Sequence, residues 1–260
     1  MDKDYQTIKY SIGFGVATIT LNRPSSYNAF TVKMNQEIIR ALKAASKDDS
    51  VRCIVLTGEG KAFCAGQDLS DVDEDTDHAE FLRSRYHPMM KVMKQTPKPI
   101  VAAINGTAAG AGMSLALAAD FRIVQPKTKF ISAFMSIGLL PDSGFLYVLP
   151  RMIGYAKALE VAVLGKPISG EEAVQYGLAT EMIETEEWDE GVARFAGNLA
   201  AMPTKTFSLI KRYTMDGMHL PFDEVLEREA QAQRIAGMSS DHHEGMQAFK
   251  EKRQPKFTGN

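Results

Sequence analysis

The chain is poor in the residues that build metal centres and disulfide frameworks. Its 260 residues include two cysteines, Cys53 and Cys64, and five histidines, His78, His87, His219, His242 and His243. Two cysteines exclude a disulfide framework and a four-cysteine zinc site. No HExxH or CxxC spacing accompanies the histidines, so no metal is expected. Charge of one sign is also lacking. Lys and Arg number 30 against 32 Asp and Glu, a net charge of −2, which argues against binding nucleic acid by neutralising phosphates. A spanning apolar run is missing too. The longest mostly apolar stretch, Ile100 to Asp120, is interrupted by Asn105, Gly106, Thr107, Gly110, Gly112 and Ser114. The opening Met1-Asp-Lys-Asp-Tyr5 has no apolar segment of the kind a secretory signal needs, so a cytoplasmic location without membrane attachment is expected.

What is present reads as an α/β protein. Apolar residues make up 45% and charged residues 24%, an ordinary globular balance, and a chain this long can bury a large core without staples. Val16–Leu21 alternates and is β-branched, as a strand should be. Met34, Ile38, Ile39 and Leu42 recur at helical spacing after a capping Thr31, predicting a helix to about Ser46. Cys53–Thr57, Ile100–Ile104 and Phe121–Val124 are short apolar runs, two of them ended by Gly58 and Asn105-Gly106, and they predict buried strands. Strands separated by helices imply parallel pairing. Beyond Gly165 the patterns are helical: a helix start at Ser169-Gly-Glu-Glu172, then 188–200, 204–215, 222–236 and 241–251. Pro203 and Pro221 mark a helical section beginning near residue 200. The acidic run of Asp71, Asp73, Glu74, Asp75 and Asp77 reads as a solvated loop, with a lid beside a site as the second reading.

Two small-residue segments could carry chemistry: Lys61-Ala-Phe-Cys-Ala-Gly-Gln-Asp-Leu69 and Asn105-Gly-Thr-Ala-Ala-Gly-Ala-Gly-Met-Ser-Leu115. Small residues let backbone approach a ligand, and two converging N–H groups would form an oxyanion hole. A dinucleotide fingerprint is a poor match, because Leu115 stands where the third glycine belongs. A serine-hydrolase elbow around Ser114 is also poor, since six residues separate the predicted strand from Ala111. Close helix–strand packing without a ligand is the plain structural alternative.

Taken in order along the chain, several motifs resemble the crotonase, or enoyl-CoA hydratase/isomerase, superfamily. They are Leu21-Asn-Arg-Pro24 with Asn28-Ala29, Ala62–Leu69, Pro99–Gly106, Ala109-Gly-Ala-Gly112, Ala119-Asp-Phe-Arg-Ile123, Gly138-Leu-Leu-Pro-Asp142, and Gly165 to Gly177. The resemblance implies a crotonase-like spiral of β-β-α units over residues 1–200, followed by a C-terminal helical trimerisation region over 201–260. A homotrimer or dimer of trimers follows from it. It also implies acyl-CoA thioester substrates, with coenzyme A as part of the substrate and no separate cofactor. By position, the backbone N–H groups of Gln67 and Ala111 are the oxyanion donors. Ala65, Gly66, Asp68, Leu69, Ser70 and Gly110 lie along the substrate, Ser25 and Ala62 near its nucleotide, and Phe134 with Met135 at the acyl group.

Carboxylates separate the activities within this family. Hydratases of the family use two glutamates, where this chain has Ser114 and Phe134, and neither can serve as an ionised base. Asp142 remains, at the place of the base in peroxisomal-type Δ3,Δ2-enoyl-CoA isomerases and of an aspartate in the ring-1,2-epoxyphenylacetyl-CoA isomerases. The chain is most similar to the latter group, with Phe145 as a departure. The expectation is a single-base acyl-CoA isomerase with Asp142 catalytic. An enoyl-CoA hydratase is the alternative, and an RNA-binding or interaction member of the superfamily is the alternative of another class. The only basic stretch bearing on that last reading, Arg40, Lys43 and Lys47 on one helix, reads as a solvated face. Asp142 could instead be a cap or turn residue, and Glu160 reads as structural or as an interface residue.

Overall fold

The structure is a computed structural model and describes residues 5–73 and 75–260. Residues 1–4 of the N-terminal reading and Glu74 of the acidic run lie outside the described residues. The chain opens with a hairpin of β1 (Ile8–Gly13) and β2 (Val16–Leu21), then α1 (Val32–Lys47). Thr31 caps α1 by accepting from the Met34 N–H, an interaction of about 1 kcal/mol in such positions.

Three strand–strand–helix passages follow. The first is β3 (Cys53–Gly58), β4 (Ala62–Cys64) and a long helix made of α2 (His78–Phe81), a π turn over Leu82–Tyr86, and α3 (His87–Gln95). The second is β5 (Ile100–Ile104), β6 (Thr107–Ala109) and α4 (Ala111–Ala118). The third is β7 (Phe121–Val124), β8 (Lys129–Ile131), α5 (Phe145–Ile153) and α6 (Tyr155–Leu164). Next come β9 (Ile168–Ser169), α7 (Gly170–Gln175), β10 (Glu181–Met182) and the helices α8 (Trp188–Ala200), α9 (Thr204–Gly217), α10 (Phe222–Gly237) and α11 (Ser240–Glu251).

The first strand of each passage enters a six-stranded sheet of order β1-β2-β3-β5-β7-β10, and the second enters a four-stranded sheet of order β4-β6-β8-β9. The pairs β3/β5/β7 and β4/β6/β8 are parallel. The chain therefore advances one strand in each sheet per passage, which is the spiral expected.

Burial explains why β3 and β5 read as unbroken apolar runs. Ile54, Leu56, Ile100, Ala102 and Ile104 face the main core, whereas Cys53, Val55, Val101 and Ala103 face a second core covered by Ala196, Leu199 and Ala200 of α8. Strands covered on both faces lose the alternation of half-exposed ones. The Ala119–Ile123 motif makes a structural joint. Asp120 accepts from the Ile100 N–H at 2.9 Å and from Lys211 Nζ of α9 at 2.8 Å, and Arg122 Nε donates to the Leu178 carbonyl at 2.6 Å.

Three expectations need correction. The stretch between Asn105 and Gly110 is not an open connection, because β6 occupies 107–109 and only Gly110 separates strand from helix. The long helix over 78–95 has no counterpart among the expected elements. Phe207, whose place with Ile210, Phe222 and Leu226 in the apolar content of the helical section implies an assembly face, packs instead on Phe121 with ring centroids 6.2 Å apart. Among the described residues no helix is long and apolar enough to cross a membrane.

Candidate active site

The four-stranded sheet delivers the site. β4 and β6 pair with Cys64 opposite Ala108, and β6 and β8 pair with Ala109 opposite Ile131. Their carboxyl ends lie side by side, the edge where parallel α/β sheets gather ligand-binding loops. Ala65-Gly66-Gln67 leaves the first strand, Gly110-Ala111 the second, and the segment reaching Phe134 and Asp142 the third.

The first two segments touch. Gly66 has φ +94°, and a Cβ placed on it would sit 2.9 Å from the Ala109 oxygen and 3.3 Å from the Ala111 nitrogen. Only glycine allows this crossing. Phe30 holds the other side of the loop: its N–H donates to the Gly66 carbonyl at 2.7 Å, and its carbonyl accepts from the Asp68 N–H at 3.0 Å. In this parallel bridge the N–H of Gln67 turns away from Phe30. Ala111 is the first residue of α4, where no intrahelical acceptor exists. Neither N–H donates to a protein acceptor among the described residues.

The third segment is tied to the second. Ser114, one turn along α4 and buried, donates its Oγ to the Asp142 carbonyl at 3.0 Å. Ser143 (φ +56°) and Gly144 (φ +88°) then turn the chain back, so that the Phe145 N–H donates to the same carbonyl at 3.0 Å. The Asp142 carboxylate accepts from Ser143 Oγ at 2.8 Å. It caps no helix, since Gly144 holds the position before α5 and α5 has no side-chain cap. Burial pushes the Asp142 carboxyl above the usual carboxylate range, while the Ser143 hydrogen bond and the nearby His87 and His78 oppose that shift.

The remaining expected residues divide. Arg23 pairs with Asp68 at 2.9 Å, and the Ala65 N–H donates to the Tyr27 carbonyl at 3.0 Å, so the turn bearing the exposed Ser25 flanks the 65–70 loop. Asp68 also accepts from Ser70 Oγ at 2.7 Å, and Leu69 is exposed beside them. Ala62 is buried within β4, with its carbonyl held by Asn28 Nδ2 at 2.8 Å. Phe134 is buried against Phe145, ring centroids 6.2 Å apart and nearly perpendicular. Met135 and Leu140 do not enclose Asp142; they are 57% and 68% exposed. Gly138 ends the short turn Met135–Ile137 in a left-handed conformation, and the apolar residues around it project outward. Glu160 pairs with Lys157 of its own helix at 3.0 Å. Asp77 of the acidic run caps α2, accepting from the Ala79 and Glu80 N–H groups.

The elbow reading of Ser114 fails for a reason other than chain distance. The turn residue after β6 is Gly110, and Ser114 lies inside the helix with its hydroxyl spent on Asp142. Sequence reasoning missed Tyr86. Its hydroxyl donates to Gln67 Oε1 at 2.7 Å. The helical recurrence of Leu82, Tyr86, Met89 and Met93 was a legible signal for a buried face, but no pattern gives the phenol's partner.

A model of the family described as Enoyl-CoA hydratase/isomerase matches residues 11–260. The chain belongs to the enoyl-CoA hydratase/isomerase family. It is 40% identical over 250 residues to an Escherichia coli K12 protein named 1,2-epoxyphenylacetyl-CoA isomerase, covering 94% of this chain and 95% of that one. It is 42% identical over 256 residues to a Rhodobacter capsulatus protein named "Probable enoyl-CoA hydratase", covering 98% and 99%. Its fold matches the crystal structure of an enoyl-CoA hydratase from Bacillus anthracis with a TM-score of 0.92 at 32% identity, over 98% of this chain and 100% of that one. Relatives in the enoyl-CoA hydratase/isomerase family thus carry both names, and acyl-CoA thioesters are the substrates that fit it. In this chain the two positions where the resemblance implies hydratase glutamates have other work: Ser114 anchors the Asp142 turn and Phe134 packs on Phe145.

Proposed function

We propose that the protein is an acyl-CoA isomerase working with one carboxylate base. The observation that carries this reading is the attachment of a half-buried carboxylate, Asp142, to the helix that begins at Ala111. The N–H groups of Gln67 and Ala111 hold the thioester oxygen. Asp142 takes a proton from C2 of a 3-enoyl thioester; the C2–H pair becomes the C1=C2 bond, the carbonyl pair moves onto that oxygen, and the intact C3=C4 bond makes the intermediate a conjugated dienolate. The thioester carbonyl then re-forms as C4 takes the proton back from Asp142, leaving a 2-enoyl product. With a ring epoxide as substrate, the same contacts guide its opening and ring expansion. Ala65, Gly66, Asp68, Leu69, Ser70 and Gly110 contact the substrate along the pantetheine, Ser25 and Ala62 lie nearer the nucleotide, and Phe134 bounds the acyl group.

Steady-state turnover of a 3-enoyl-CoA set beside hydration of crotonyl-CoA tests the choice of reaction. Isomerisation should be the faster, because Ser114 and Phe134 stand where the resemblance implies the water-activating glutamates. Faster hydration would make the protein a hydratase instead.

The C-terminal helices carry exposed Ile210, Phe222, Leu226, Met238 and Phe249, the two phenylalanines at 74% and 82%. We take this as the face on which the chain assembles into a trimer or dimer of trimers. Light scattering should return the mass of three or six chains, and a stable monomer at micromolar concentration would remove the proposal.

A further inference from the structure

We propose that Tyr86 is a positioning residue for the oxyanion site, acting through the side chain of Gln67. The inference rests on the reading that the Gln67 N–H is an oxyanion donor.

The contacts form a closed set around one side chain. The Tyr86 hydroxyl donates to Gln67 Oε1 at 2.7 Å, and Gln67 Nε2 donates to the carbonyls of Asp68 at 2.9 Å and Phe30 at 3.2 Å. The carboxamide therefore has partners at both ends, and two of them flank its own backbone. Phe30 also grips the loop through its main chain, as described above. A rotation of the peptide preceding Gln67 would have to break these bonds together.

Tyr86 is itself immobilised. It is 2% exposed. Its ring packs edge-on against Phe30, centroids 5.6 Å apart, and at a shallow tilt against Phe81, centroids 6.1 Å apart. It ends the π turn, whose His87 N–H reaches back to the Leu82 carbonyl. Such turns recur at functional sites, because the extra residue re-aims a side chain from an otherwise regular helix. Burial pushes the phenol far above its ordinary range, so it stays a donor at any working pH. A backbone donor cannot adjust itself, and its value in catalysis depends on being fixed before the charge develops. The lock supplies that fixation from a helix outside the loop.

The test uses the full-length protein and butyryl-CoA labelled with ¹³C at the thioester carbonyl, a ligand with no double bond to move. In the parent protein, infrared spectroscopy should show the carbonyl stretch lowered on binding. Tyr86→Phe keeps the ring and removes the donor. It should lose part of that lowering and cut isomerase kcat by roughly 10-fold while KM holds, because polarisation rather than affinity is affected. Gln67→Met, which retains length without the amide, should do the same, and the double variant should be no worse than either single one. A Tyr86→Phe or Gln67→Met protein with the full carbonyl shift and parental kcat, even at a lowered melting temperature, would overturn the inference and leave the oxyanion reading standing. No carbonyl shift in the parent would overturn both.

Discussion

Replacing Asp142 with asparagine should abolish most isomerase activity while leaving a protein at least as stable as the parent. The side chain keeps its size and can still meet Ser143 Oγ, but it has no site for a carbon-derived proton. Loss of a positioned general base typically costs about 10²–10⁴-fold in rate. Binding of a saturated acyl-CoA should change little, since Asp142 takes no part in the crossing of the 65–67 and 110–111 segments. Burial raises the carboxyl's pKa in the folded protein. Its protonated form is thus favoured by folding, and the stability it contributes is greatest below the ordinary carboxylate value. That stability is lost as pH rises through the raised value. At neutral pH the native protein therefore carries a charge whose burial Ser143 and the two histidines only partly offset, and Asp142→Asn removes it. The variant's melting temperature should equal or exceed the parent's there, and its advantage should shrink in acid. Catalysis runs oppositely: kcat/KM should fall as pH drops through the raised value, because the base must be ionised. A folded Asp142→Asn protein with near-parental turnover would end the single-base mechanism.

Strands β2, β3, β5 and β7 were legible because each is apolar and β-rich over at least four residues. Helix α1 and the C-terminal helices were legible from their period and their cap or proline boundaries. Strands β4, β6 and β8 were not. Each is three residues long, and Thr107-Ala-Ala109 carries no strand preference of its own. They exist because each passage through the six-stranded sheet leaves the chain beside the previous short strand. These same three strands set the site, so its residues could be named from motifs while their convergence could not be seen. Asp142 could equally have been a cap until the structure put Gly144 in that position. The helix over 78–95 failed for a different reason. Its apolar spacing is regular, but Arg83 and Arg85 interleave it, and the π turn shifts its phase. With that helix went Tyr86, whose importance lies in a hydrogen bond to a residue 19 positions away.

Gly66→Ala should damage both stability and turnover. At φ +94° an alanine is strained wherever it is placed, at a cost of order 1–3 kcal/mol. Here the methyl also meets backbone: it would lie 2.9 Å from the Ala109 oxygen and 3.3 Å from the Ala111 nitrogen. Those atoms belong to β6 and the first turn of α4, both held by neighbouring elements, so the 65–67 loop has to yield. Moving it separates the Gln67 and Ala111 N–H groups and misaims at least one of them. A lost oxyanion donor is worth about 10²–10³-fold in kcat, and that drop is expected while acyl-CoA affinity changes much less. Strain alone must be separated from loss of the crossing. Gly177 provides the control: it has φ +72°, lies after α7, and a Cβ there meets nothing within 4 Å. Gly177→Ala should lower the melting temperature by the strain alone, less than Gly66→Ala, and turn over like the parent. If Gly66→Ala also lost only stability, the point where the two loops cross would not be where the thioester oxygen binds. Asp142 would then be the sole part of the mechanism left to defend.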